Sequence, residues 1–388
     1  MKMSFKTLLK GATAVALPIV FASCEKDKNT DVVSIDDTYK AILKEYVDGV
    51  VVPTYKSLAE AALDMRTANE ALKTNASEAN IQAAADAWMA ARIYWEKSEA
   101  FLFGPVSEDG FDIDAHIDSW PLEKDAIDEV LNNDATGLTG ESAWRDLDAE
   151  VIGFHTTEYL LFRDGHARTS LTPAEVKYLT AATDALIWDC ALAYVAWAGE
   201  NNVSADIKAV FNENAEVVAA LNGNTTYQNF ADKLKNATGK YEGSFVAAMS
   251  EISDGGADIS DEVGATKIES PFANHLVEEV ESWYSWHSLD DYTNNIISIK
   301  NAYYGGIGLS TPKANSMSAY VASKNAQLDT KVKAQIEDCI TKIAAIGTGN
   351  KSFYEVVRDQ INGTQVDAAV DACAELGTLL KQVTSSIE

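Results

Sequence analysis

From residue 39 to residue 387, apolar side chains return every three or four positions, segment after segment, and they alternate over no useful length. A period near 3.6 gives a helix one apolar face, while a period of 2 would give a strand one. The chain is thereby confined to helices that bury their faces against one another. The spacing predicts helices over residues 39–72, 81–103, 121–132, 141–163, 173–197, 205–221, 227–252, 271–286, 294–304, 315–322, 324–346, 352–361 and 365–387. Breaks fall near Asn75 to Ser77, at Gly104-Pro105, over residues 137–140 and 199–204, and at Gly305-Gly306. Thr172-Pro173 with Glu175 reads as a helix start, and Pro121 as a first-turn proline. Residues 106–120, acid-rich and carrying His116, and the Gly/Asp/Ser-rich residues 253–264 read as loops. Helices joined by short loops pack antiparallel. About 365 residues also exceed what one core normally serves. The expectation is an all-α fold of two helical bundles, residues 36–200 and 201–388, with a functional cleft at their interface.

The first residues carry a different signal. Lys2, Lys6 and Lys10 precede an apolar run over residues 12–22, then Ser23 and Cys24. That is the outline of a secretory signal over residues 1–23, too short to span a bilayer as a stable helix. Phe21-Ala22-Ser23-Cys24 resembles a lipobox, with Phe21 in place of the usual Leu. Cys24 is then the lipidated first residue, anchored by several acyl chains and followed by a polar tether over residues 24–35. No other segment reads as long and apolar enough to cross a membrane. The expected location is the cell envelope, and the charges after Cys24 favour outer-membrane sorting. Removing residues 1–23 takes away three lysines and no acid, which deepens the net charge from −28 to −31. Such a surface repels nucleic acid and anionic lipid heads and gathers cations. Cys190, Cys339 and Cys373 lack CxxC spacing, allow at most one disulfide, and sit in apolar patterns that suit buried small hydrophobes.

The sharpest cluster of chemically capable residues is Gly153-Phe154-His155-Thr156-Thr157-Glu158. Positions three apart on a helix share a face, so the His155 imidazole and the Glu158 carboxylate lie side by side. The mirror spacing, Glu-x-x-His, builds carboxylate-bridged iron sites in bundles. Val151, Ile152, Tyr159 and Phe162 flank the pair, so it faces inward. A purely structural ion pair has the same spacing, and a metal would need further carboxylates, water or another His. A zinc peptidase of the HExxH kind is disfavoured: the chain has five His, none three or four residues from His155. There is no GxSxG, and the cysteines do not suit a reactive thiolate.

The stretch from Gly153 to Phe162 resembles the GxHxxE signature of the imelysin-like family, named after an insulin-cleaving membrane protease and including iron-regulated envelope proteins. Three other stretches resemble it in order. They are Trp88-Met89-Ala90-Ala91-Arg92 continuing to Glu99 and Gly104-Pro105; Ile117-Asp118-Ser119-Trp120-Pro121-Leu122; and residues 285–296 with Asn301-Ala302-Tyr303-Tyr304-Gly305. The resemblance spans residues 88–305. It implies two helical bundles with a site where they meet, a role tied to iron, and a peptidase label of uncertain reach. It also implies His155 and Glu158 as the core of the site, with Gly153, Arg92, Glu99 and Trp120 around them and Ser288, Asp290 and Asp291 approaching from the second half. Arg92 and Glu99, seven apart, would share a helical face; Asp290 and Asp291 would serve equally as helix caps.

The expected function is a lipid-anchored binding protein for iron or another divalent cation, working with other envelope uptake components, with His155, Glu158 and Glu99 as metal ligands. Two alternatives remain open: a metallopeptidase with zinc at the same site, and a metal-free scaffold for a small molecule or partner with Arg92 as its anion clamp.

Overall fold

Helix follows helix through the described residues, and the all-α class read from the periodicity is borne out. A computed structural model of the protein describes residues 34–387. The signal sequence, Cys24 and the tether as far as residue 33 lie outside the described residues. Helix α1 (Ile35–Tyr46) passes through a π turn into α2 (Val52–Thr74), and α3 (Glu78–Glu96) folds back along it. Asn75 leaves the helix in an extended conformation, and Ser77 caps α3 by accepting from the Asn80 amide. Short helices α4 (Ile113–Asp118), α5 (Lys124–Asn132), α6 (Gly140–Asp146) and α7 (Gly153–Leu161) follow. A two-residue hairpin, β1 (Phe162–Arg163) with β2 (His166–Ala167), leads into α8 (Pro173–Ala198). The capping box of Thr172 and Glu175 starts α8 as expected.

Helix α8 is the axis of this half, packed by α2, α4, α6 and α7 and then by α9 (Ala205–Phe211), α10 (Ala215–Gly223) and α11 (Phe230–Lys235). It corrects one expectation, because α8 is long and apolar enough to cross a bilayer. Its most apolar stretch is nonetheless 94% buried in protein, so its apolar surface is matched by other helices. The remaining helices are α12 (Phe245–Glu262), continued by a π turn into α13 (Ser270–Asn274), then α14 (Ser288–Tyr304), α15 (Met317–Lys324), α16 (Ala326–Ile346), α17 (Phe353–Asp359) and α18 (Gly363–Thr384). Helices α12, α14, α16 and α18 pack on one another, while α1 docks on α12 and α3 on α14. One apolar core runs through both groups, and the rings of Tyr55, Phe103, Trp197 and Phe230 meet within it. Truncating such a core side chain to Ala typically costs about 3–5 kcal/mol. Cys190, Cys339 and Cys373 are free and buried.

Several boundaries depart from the sequence reading, notably around the site. The predicted helix 81–103 stops at Glu96, where the Ser98 hydroxyl takes the Trp95 carbonyl at 2.6 Å and a 3-10 turn, Glu99–Phe101, begins. The loop 106–120 contains α4, and α5 starts at Lys124 beyond the cis Trp120–Pro121 peptide, not at Pro121. The predicted helix 141–163 is α6, a 3-10 turn and α7, broken where Leu147 and Ile152 are extended and Gly153 takes a φ of 75°. Residues 253–264, read as a loop, are mostly helix α12, whereas most of 271–286, read as helix, is turn and 3-10 structure. Tertiary packing overrides glycine's weak propensity in α12: a Cβ at Gly255 would lie 2.4 Å from the Ala100 carbonyl oxygen.

Candidate functional site

The site grows from the first turn of α7. Gly153 combines its left-handed φ with close packing, since a Cβ there would lie 2.4 Å from the Ile117 carbonyl oxygen and 2.6 Å from that of His116. Only glycine permits both, and so α4 lies directly against the start of α7. Across this contact His155 and Asp118 come together. The Trp88 indole donates to the Phe154 carbonyl at 3.0 Å and to Thr157 at 3.1 Å, which fastens α7 to α3. His155 and Glu158 are both fully buried, with Nδ1 3.3 Å from Oε2.

The two nitrogens of His155 have different surroundings. Nδ1 faces Glu158, whose other oxygen accepts from the Ser285 amide at 2.8 Å and the Ser285 hydroxyl at 2.7 Å. Nε2 faces Asp118 Oδ1 at 3.0 Å and Glu281 Oε1 at 3.6 Å, yet forms no well-aligned hydrogen bond. One atom from each of Asp118, His155 and Glu281 lies within 4.8 Å of the others. The Trp120 ring sits 4.7 Å from the imidazole, centroid to centroid. A cavity of about 430 Å³, whose lining includes Glu108, Asp112, Asp114, Asp118, Ser119 and Trp120, reaches the cluster at Asp118 and Trp120.

Glu281 and Ser285 belong to a turn that two non-glycine residues, Ser282 at φ 53° and Trp286 at φ 63°, hold in the left-handed region. Such strain persists only where the surroundings enforce it. The Ser288 hydroxyl donates to the Glu281 carbonyl at 2.5 Å, and the Gly165 amide donates to the Tyr284 carbonyl at 3.0 Å. Gly165 also leaves room for the Trp286 ring, which a Cβ would meet at 2.4 Å. The β1–β2 hairpin beside α7 therefore braces the turn that carries Glu281.

Arg92 lies at the centre of the charges. Its Nη2 meets Glu96 at 2.6 Å and Glu281 at 3.5 Å, its Nη1 meets Asp118, and its Nε meets Asp291 at 3.4 Å. Lys267 reaches both oxygens of Glu281, at 3.0 and 2.9 Å. Burial and Arg92 disfavour the imidazolium of His155, but Asp118 and Glu158 outweigh them and hold its pKa well above the ordinary range. Against burial, Arg92 and His155 keep Asp118 well below the usual carboxylate range, and Lys267 and His155 lower Glu281. Burial pushes Glu96 and Glu99 well up, and it lifts Asp291 to about 6 even beside Arg92. Burial and Asp118 together raise Asp114 to about 7.

Of the residues singled out from the sequence, the structure gathers His155, Glu158, Gly153, Arg92, Trp120, Ser288 and Asp291 around one centre. Asp290 is exposed and stands apart. Neither aspartate caps α14, since His287 holds the N-cap position without a side-chain cap. Glu99 is not on the helix of Arg92. It lies on the turn beyond α3, and its carboxylate approaches Glu96 and Asp118, not His155. Arg92 is 1% exposed and each of its three nitrogens faces a carboxylate, surroundings that compete with any anion for the guanidinium. The sequence reading missed Asp118, Glu96, Glu281 and Lys267 as members of this centre. Asp118 carried a signal, lying within the Ile117 to Leu122 stretch; Glu281 and Lys267 lie outside every motif.

Similarity to known proteins shows the family and the fold. The imelysin family model matches residues 51–383. Iron-regulated protein A of Synechococcus elongatus is 27% identical over 263 residues, covering 68% of this chain and 64% of the relative, so the chain spans just under two thirds of that protein. The crystal structure of a protein described as an iron-regulated protein A precursor from Parabacteroides distasonis is 31% identical, with a TM-score of 0.76 over 92% of this chain and 97% of the other. An imelysin-like protein from Psychrobacter arcticum, 17% identical, shares the fold with a TM-score of 0.58 over 91% of this chain and 94% of that one.

Proposed function

We propose, from the premise that this chain belongs to the imelysin family, that it is an iron-related protein of the cell envelope whose buried His155 centre takes up a divalent metal ion, iron foremost. Anchoring through a lipid on Cys24 is part of the same proposal. The observation that carries it is the division of labour on one imidazole. Nδ1 is held by Glu158, and Nε2 is turned to two carboxylates without a satisfied hydrogen bond.

A metal-ligating His commonly presents one nitrogen to the ion while a carboxylate fixes the other. In this reading His155, Asp118 and Glu281 are the ligands and Glu158 the orienting group. One imidazole with two carboxylates suits iron and other borderline divalent ions. The acidic mouth leading to Asp118 and Trp120 favours cations along the way in. Because Asp118 and Glu281 already pair with Arg92 and Lys267, an incoming ion competes with two internal cations and with the proton on Nε2. The names of the two iron-regulated relatives support iron as the cargo.

Metal analysis and competition titrations on the parent and on His155→Ala, Asp118→Asn and Glu281→Gln test the reading. Loss of Fe(II) or Zn(II) uptake in all three is expected. Uptake that none of them changes would overturn it.

A further inference from the structure

Two groups of ligand-bearing side chains share Asp118. One is the set around His155, with Glu281. The other takes one oxygen from each of Glu96, Glu99 and Asp118, and these too lie within 4.8 Å of one another. Glu96 closes α3, and Glu99 opens the 3-10 turn beyond it.

In this second group two buried polar side chains lack partners. Glu99 is only 7% exposed and forms no hydrogen bond or ion pair among the described residues. The cation that acts on it most, Lys267, is committed to both oxygens of Glu281. Asn295, fully buried on α14, donates Nδ2 to Glu96 Oε2 at 2.6 Å and leaves its own carbonyl oxygen unpaired. Groups buried to this degree are normally hydrogen-bonded, paired or bound to metal.

The charge balance points the same way. Glu96, Glu99, Asp118, Glu158, Glu281 and Asp291 crowd around two fixed cations, Arg92 and Lys267. With those carboxylates ionised and His155 neutral, four negative charges are left over; one divalent ion cancels half of the excess, and two cancel it. Each group also has its own way in. Asp118 is reached from the cavity of about 430 Å³, and Glu99 from another of about 260 Å³ beneath α12, whose acidic lining of Asp254, Asp258 and Glu262 draws cations inward.

We propose that the centre holds two divalent ions side by side, the second on Glu96, Glu99 and Asp118, with the Asp118 carboxylate bridging them. This rests on the reading of the His155 centre as a metal site and adds a second ion to it. The second ion competes with Arg92 for Glu96 and Asp118, as the first does for Asp118. Its three ligands are all oxygen, a set that suits manganese(II) as well as iron(II).

Manganese(II) is the probe, because ions in two-metal sites sit about 3.5–4 Å apart and at that range their unpaired electrons couple. Metal content after equilibrium dialysis and electron paramagnetic resonance are measured on the parent, Glu99→Gln and His155→Ala. The parent should hold two ions per chain and give a coupled spectrum. Glu99→Gln should hold one and give the spectrum of an isolated ion. It keeps the side chain's volume and removes a buried charge that has no partner, so in chelator it should melt no lower than the parent. One ion in the parent, lost in His155→Ala and kept in Glu99→Gln, would overturn the two-ion centre and leave the His155 site standing. Two ions that Glu99→Gln does not change, or two without coupling, would also overturn it. No bound ion in the parent would overturn both readings.

Discussion

Glu158 and Ser285, 127 residues apart in the chain, are joined by two hydrogen bonds to a single carboxylate oxygen, from the Ser285 amide at 2.8 Å and from its hydroxyl at 2.7 Å. This clasp ties the helix bearing His155 to the turn bearing Glu281, so it sets the distance between two proposed ligands. Ser285→Ala removes the hydroxyl donor and leaves the amide. A hydrogen bond to a charged group is worth about 1.5–3 kcal/mol, and that loss is expected in urea denaturation. Metal affinity is expected to fall about 10–100-fold, as when other groups that orient ligands are removed. A stability loss with unchanged metal affinity would separate the clasp from the centre.

Gly153→Ala acts at the opposite wall. The new Cβ meets the Ile117 carbonyl oxygen at 2.4 Å while the residue must keep a φ of 75°. Backbone cannot yield as a flexible side chain does, and alanine at positive φ adds its own cost. A loss of about 3 kcal/mol or more is expected from denaturant midpoints. Asp118 sits one residue beyond Ile117, so the folded fraction should also bind metal more weakly. Gly137→Ala offers a control with positive φ and open space, and should cost much less.

What the sequence reveals follows from physical range. Helix existence was legible because a helix states its buried face within its own residues, as α8 does with its apolar length and its Thr172–Glu175 box. The His155–Glu158 pairing was legible for the same reason, being a relation across one turn. Glu281 and Lys267 were not, because they reach His155 and Arg92 through a turn and a π segment that carry no periodicity. Residues 253–264 misled because Gly255 and Gly256 lower helix propensity locally. Their helix is enforced by the close approach of Ala100, Ile299 and Leu380, partners far away in the chain. Glu99 was assigned to the face of Arg92 on the assumption that α3 continues, and Ser98 ends it.

Arg92→Met removes the guanidinium on which four carboxylates converge. Uncompensated buried charge makes breaking such a network cost about 3–5 kcal/mol near neutral pH. The carboxyls lowered in the fold, Asp118 among them, contribute stability above their unfolded pKa near about 4 and lose it as the pH falls through their folded values. Asp291, at about 6, is protonated earlier. The deficit of the variant is therefore expected to lose the Asp291 share as the pH drops through about 6 and the Asp118 share only as it falls below about 4 in urea titrations. A deficit independent of pH would mean that Arg92 acts through packing alone.

Asp114→Asn probes the reverse sign. A carboxyl raised to about 7 in the fold, against about 3.9 unfolded, stabilises the protein fully below the lower value and loses that contribution as the pH rises through the upper one. Without added cations the parent should become less stable relative to the variant between about pH 4 and about pH 7, by about 1–2 kcal/mol once the partial exposure of Asp114 is allowed for. Thermal unfolding in chelator at both ends of that range checks it.

Metal binding at Nε2 of His155 requires the proton there to leave. Asp118 and Glu158 overcome burial and Arg92 to hold the imidazolium to a pH well above the ordinary imidazole range. Affinity should therefore climb about tenfold per pH unit through neutrality, without levelling near about 6.5 as a solvent-exposed His ligand would. Calorimetry in buffers of different ionisation enthalpy should show about one proton released per ion at about pH 7. Glu158→Gln takes away one of the partners that raise this pKa, so its affinity curve should level at lower pH even as its maximum falls. An affinity already flat above about 6.5 in the parent would mean that the imidazole is neutral before the ion arrives, and that Asp118 does not hold its proton.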